Sequence, residues 1–222
     1  MATCPCPFCV NEDEGKHLLS TPLRSLTEEE LCSYSESVFL TVGGIDDFKY
    51  LLPRLFETWI FTEGWRSLGV EVWLGKLRLA GWTFWSAAEQ DAVRDVLWQW
   101  YQRYLDIPGL HCRSDGKKIH TWDGNDFICG LGRADVDLEP YLHVLLKQQY
   151  REQLAAVYRD NFDDELSVLR LVNAFWEEFP EAGEPLLGFL RSLNVEEKVA
   201  AEFAATGTSL RAPPWGDVVG EP

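Results

Sequence analysis

Apolar residues recur along this chain at helical spacing. Val93, Leu97, Trp100, Tyr101 and Tyr104 follow an i, i+4, i+7, i+8, i+11 pattern, which sets them along one buried stripe of a helix. Ser86 and Glu89 precede that stripe with the spacing of a capping box, so the helix starts there. Upstream, Val70, Trp73, Leu74, Leu77 and Ala80 share one helical face, with Glu71, Lys76 and Arg78 placed away from it, and Gly81 ends the helix. The stretch from Val70 to Leu105 therefore reads as two helices joined by an aromatic turn.

The same logic extends in both directions. Thr27 and Glu30 form another capping box, with Leu26 and Leu31 as its hydrophobic staple. Leu31, Tyr34, Val38 and Val42 keep helical spacing up to Gly43-Gly44. Asp46-Asp47 open a helix whose apolar stripe runs Phe48, Leu51, Leu52, Leu55, Phe56 and Trp59, and Pro53 is expected to kink or split it. A short helix is expected over Phe127 to Leu131. Asp137 caps a long one with Leu138, Tyr141, Leu142, Leu145, Leu154, Val157 and Tyr158 on its apolar face. Leu166, Leu169, Val172, Phe175, Trp176 and Phe179 predict a further helix ending at Pro180, and Leu186 to Leu190 a shorter one. The last helix is expected to start at an Asn194-to-Glu197 capping box and to stop near Gly207.

No convincing alternation marks a strand, and no fixed repeat period is present. The predicted fold is all-α: a single domain of about nine helices packed as antiparallel pairs, a helical bundle or an irregular solenoid-like stack. Residues 1–25 read as an irregular Cys-rich arm and 26–207 as the helical domain. Residues 106–126 form a polar loop within it, and 208–222 a disordered tail.

Composition narrows the function classes. The chain has 222 residues, 46% of them hydrophobic and 13% aromatic, enough for a core and too apolar for disorder. No apolar run approaches the ~20 residues of a membrane helix. The N-terminal stretch lacks the basic and apolar regions of a signal peptide, so a cytoplasmic location is expected. With 36 acidic residues against 20 basic and a net charge of −16, the chain is expected to bind neither nucleic acid nor anionic lipid. The acidity suits either solubility or docking to a basic partner.

Candidate chemistry is sparse. Cys4, Cys6 and Cys9, with His17 eight residues on, offer the thiolate and imidazole donors that zinc prefers, although one cluster and a lone His is not the paired spacing of structural zinc sites. Cys6-Pro7-Phe8-Cys9 lacks the strand and helix context of a redox motif. His111, Cys112, His120 and Cys129 surround the polar loop and would form a site if the fold converged them. Gly130-Leu131-Gly132 is no dinucleotide fingerprint, and no nucleophile elbow, P-loop or His-Glu-x-x-His is present. Of the ten tryptophans, Trp82 and Trp85 at the turn and Trp98 off the apolar stripe are the candidates for an exposed interface.

Several motifs together resemble a family of uncharacterised bacterial proteins. These are the Cys-rich start, the segment Pro22 to Thr27, the run Gly44 to Arg54, Lys76 to Trp85 with Glu89-Gln90 after it, and Asn173 to Trp176. The family often has Pro where this chain has Ser86. The resemblance implies a helical fold and no activity. The leading expectation is a non-enzymatic, acidic, helical interaction module, inhibitor- or immunity-like, with a basic or mixed-charge protein partner and no cofactor. The alternatives are a small zinc-binding protein using the N-terminal cysteines, and an enzyme with a site around residues 106–126.

Overall fold

The computed structural model describes residues 11–61, 69–114, 116–163 and 166–210. Among them are ten α-helices and two two-stranded antiparallel hairpins, so the chain is predominantly α-helical, as its apolar spacing predicts. No helix among the described residues is long and apolar enough to cross a membrane. Two compact units divide the chain, residues 1–100 and 101–222.

The first unit begins with α1 (Glu12–Ser20), where an irregular arm was expected. Asn11 and Glu14 form a reciprocal capping box, and three acids fill the first turn, so a short polar segment is locally specified as helix. Next come α2 (Glu28–Ser37), α3 (Ile45–Phe61), α4 (Val70–Leu79) and α5 (Ala87–Leu105), whose later residues belong to the second unit. The capping boxes at Thr27 and Ser86 are both present. Pro53 does not split α3, which continues through the missing donor.

Helix α2 stops at Ser37, well before the glycines. Phe39 adopts φ 66° and its N–H bonds the Val42 carbonyl at 3.1 Å, closing a tight loop that still buries Val38 and Val42. Lys76 explains the early stop. Its ammonium donates to the carbonyls of Val38 (3.0 Å) and Glu36 (3.3 Å), so a cation sits on the negative end of α2. Lys76 is thus buried rather than turned to solvent, a correction that a helical wheel cannot supply. Beside it, Trp59 lies parallel to Trp73 with centroids 5.3 Å apart, and Phe56 meets Trp59 and Trp100 edge-on.

In the second unit, the stretch expected as a polar loop holds a hairpin among its described residues. Strands β1 (Leu110–Cys112) and β2 (Lys118–His120) pair antiparallel, and α6 (Gly124–Arg133) follows. The long helix expected from Asp137 is divided into α7 (Glu139–Leu145), a 3-10 turn and α8 (Arg151–Asp160). The helix expected over 166–179 is instead a hairpin, β3 (Phe162–Asp163) with β4 (Val168–Leu169), followed by a 3-10 turn at Ala174–Glu177. Trp176 there is buried against Gly132 and Gly183; a methyl at Gly132 would overlap its indole, and one at Gly183 would overlap Leu171. Of the apolar residues read as a helical face, Leu169 and Trp176 are buried whereas Leu166 and Val172 are exposed, so no continuous helical stripe forms.

Helices α9 (Pro180–Leu190) and α10 (Leu193–Thr206) complete the unit. Asn194 lies inside α10, and the cap position, Ser192, makes no side-chain cap bond, so the expected capping box is absent. The central element is α8, which meets α6, α7, α10 and both strands of the first hairpin. Its Leu154, Ala155, Ala156 and Val157 are fully buried, the small alanines allowing neighbours close on several sides.

Candidate functional site

Alternation along the hairpin decides which of its residues meet. Leu110 pairs with His120, Cys112 with Lys118, and His111 with Ile119, so His111 and His120 point to opposite faces. His111 is exposed and its Nε2 lies 2.9 Å from the Pro108 carbonyl. Cys112 is exposed and Cys129 buried in α6. The constellation suggested for 106–126 is therefore not assembled, and His120 joins a different set of residues.

That set comes from the far end of the sequence. Helix α10 presents Glu202, Phe203 and Thr206 to the inner face of β2, and Gly207 ends the helix in the left-handed region (φ 69°), turning Thr208 back toward the hairpin. The His120 ring is 1% exposed and packs edge-on to Phe203 at 5.1 Å. Its Nδ1 lies 3.2 Å from the Thr208 hydroxyl, which lies 2.8 Å from that of Thr206. On the other side, Nε2 is 3.5 Å from Glu202 Oε1, within ion-pair range but outside hydrogen-bonding geometry. Glu202 is itself buried, and its Oε2 forms an ion pair with Arg151 Nε at 2.9 Å. Burial pushes the His120 pKa down, outweighing the opposing pull of Glu202, so the ring favours its neutral form.

A cavity of ≈ 610 Å³ opens beside this relay. Arg113, Lys117 and Lys118 line it from the hairpin, Arg159 from α8, with His120 and Thr208 on its wall. The Arg159 side chain is 10% exposed and bonds Asp160 at 2.6 Å, which holds the guanidinium in place. Nearby acids are shifted the other way, since burial raises the pKa of both Asp126 and Asp160.

The first unit holds the interface candidates. Trp82 is 2% exposed and does not reach the surface, whereas Trp85 and Trp98 are half-buried. The side chain at the surface is Phe84, 90% exposed, with Leu79 at the end of α4 also exposed. Periodicity does not reveal this, because the 3-10 turn Trp82–Phe84 changes the angular step between neighbours. The turn is firmly held. Gly81 takes φ 60°, Trp85 Nε1 donates to the Ala80 carbonyl at 3.1 Å, and Gln90 Nε2 donates to the carbonyls of Thr83 (3.0 Å) and Trp85 (2.8 Å). Lys49 stacks over the Trp85 ring and pairs with Glu89 at 2.7 Å.

Cys4, Cys6 and Cys9 lie outside the described residues. Their suggested fellow ligand His17 sits in α1, where Nε2 is 2.6 Å from Glu30 and Nδ1 3.4 Å from the Thr21 hydroxyl. Among the described residues no group of three His, Cys, Asp or Glu side chains is placed to hold a metal ion. Compared with family models, curated proteins and solved structures, the chain matches none. The functional argument accordingly rests on geometry.

Proposed function

We propose that this chain is a non-enzymatic interaction protein that docks a basic or mixed-charge protein through the turn between α4 and α5. The observation that carries this reading is Phe84, an aromatic ring 90% exposed on a turn fixed by side-chain hydrogen bonds. An exposed ring on a rigid support loses little conformational freedom when covered, the property of an interface anchor. The net charge of −16 favours a cationic partner and speeds its encounter, in keeping with an inhibitor- or immunity-type role.

The test is a photo-crosslinking residue at position 84 in the native host, followed by affinity measurement on the captured protein. A basic partner should bind the Phe84→Ala protein about 30-fold or more weakly, as an anchor worth 2 kcal/mol requires. Added salt should weaken the complex further. Capture of only a second copy of the chain, or a partner indifferent to Phe84→Ala, would refute the reading.

A further inference from the structure

We propose that the second unit binds a small organic acid, an apolar body ending in a carboxylate, in a cavity between the α7–α8 junction and α10, with Lys147, Arg151 and Lys198 holding the charged end. The break between the two helices is the starting point. Helix α7 ends at Leu145, Lys147 takes extended backbone (φ −69°, ψ 141°), and α8 starts at Arg151. Residues from both sides of that break, together with one face of α10, line a cavity of ≈ 260 Å³. Lys198, Ala201, Glu202 and Ala205 supply the α10 face, at the i, i+3, i+4, i+7 spacing that aligns side chains on a helix. The methyl groups of Ala201 and Ala205 leave room that longer side chains would fill.

The lining is divided in character. Leu145 and Leu154, both fully buried, and the half-buried Leu146 make an apolar wall. Three cations and a single carboxylate line the rest. That carboxylate belongs to Glu202, and Arg151 Nε neutralises it from 2.9 Å. Lys147 and Lys198 are then the surplus, since among the described residues neither ammonium makes a hydrogen bond or an ion pair. Arg151 adds free donors. It meets Glu202 through Nε, and among the described residues neither of its terminal nitrogens makes a hydrogen bond. On a chain with 36 acidic residues against 20 basic, two unmatched ammonium groups on one concave surface attract an anion.

Size and polarity select the class of ligand. The volume lies just below the roughly 300–1,000 Å³ of common small-molecule sites, which admits a compact body and not a lipid or a folded partner. An inorganic anion would leave the leucine wall facing water, and an uncharged hydrocarbon would leave the ammonium groups unanswered. A carboxylate joined to an apolar group meets both, and its planar pair of oxygens suits a guanidinium.

The experiment is calorimetric and saturation-transfer NMR titration of the full chain with phenylacetate, set against phenethylamine, benzyl alcohol and inorganic phosphate. Phenylacetate should bind saturably at millimolar concentration or below, and more tightly than the other three. The Lys147→Gln/Lys198→Gln double variant, which removes the two surplus charges, should bind it about fivefold or more weakly at an unchanged melting temperature. Ala201→Leu fills the cavity from an exposed position on α10 and keeps a good helix former there, so it should abolish binding while the chain stays folded. The proposal is overturned if phenylacetate does not bind saturably, or if the amine, the alcohol or phosphate binds as tightly. It is equally overturned if either variant, while folded, binds phenylacetate as the wild-type chain does.

Discussion

Gln153 is the residue through which α8 holds the chain entering the cationic hairpin, and replacing it tests how that hairpin is positioned. Its side-chain amide is buried and donates to the carbonyls of Leu105 (3.1 Å) and Ile107 (2.8 Å). The first is one of the terminal carbonyls of α5, with no partner further along the helix. Gln153→Met keeps the volume and removes both donors. Each bond contributes about 1 kcal/mol net, and each stranded carbonyl costs roughly 1–3 kcal/mol. The Gln153 Oε1 is buried without a partner, so its removal offsets about 1 kcal/mol. With the lost bond already contained in the 1–3 kcal/mol for each carbonyl, and less that offset, the expected loss is about 1–5 kcal/mol. Gln153→Glu should cost more at neutral pH, because a carboxylate would face two carbonyl oxygens, and should recover partly on acidification when one O–H returns. Urea unfolding followed by circular dichroism gives the stability, and amide hydrogen exchange across residues 105–112 reports where protection is lost. A Gln153→Met protein within about 0.5 kcal/mol of wild type, with unchanged exchange in that segment, would refute the reasoning.

Further expectations concern four other positions. Trp82→Ala should destabilise by about 3–5 kcal/mol and Phe84→Ala by no more than about 0.5 kcal/mol, measured by denaturant titration, although the residues are neighbours on one turn. Gly109→Ala should cost about 1–3 kcal/mol, since the added methyl would fall on the backbone of Glu152, and its unfolding midpoint would shift accordingly. His120 gives a pH signature. Its folded pKa lies below the unfolded value, so the unfolded chain takes up the extra proton and stability falls as pH drops below about 6.5. That slope is at most about 1.4 kcal/mol per pH unit and should be missing in His120→Gln. Glu30 and Glu89, lowered to about 2 by their capping and pairing bonds, contribute stability that is lost only below their ordinary pKa of 4.5, so the interval between 4.5 and 6.5 isolates the histidine from them. Asp126 and Asp160, raised by burial, act in the opposite direction as pH falls toward 3.8.

Much of the helical order of the first unit was legible because its signals are local. A capping box involves four consecutive residues, and both Thr27 and Ser86 act as their spacing predicts. Gly81 likewise ends α4 in the left-handed region. In the second unit the same apolar spacing was met by other structures. Leu169 and Trp176 are buried, one in a two-residue strand and the other in a 3-10 turn, because burial requires only that the side chain find the core. Periodicity cannot separate these cases over so short a stretch.

The candidate sites divide in the same way. The sequence by itself determined the α class, the acidity, the capped helix starts and the turn at Gly81, since each depends on composition or on residues within one helical turn of each other. Only the tertiary structure placed Lys76 on the end of α2, nearly forty residues away in the chain, and hid Trp82 while leaving Phe84 in solvent. It also brought His120 to Glu202 and Thr208 across more than eighty residues and gathered four cations on one cavity of an acidic chain. The physical reason is that charge and hydrogen-bond partners act over a few ångströms in space. Which distant residues come that close is settled by how the buried faces of the helices fit together.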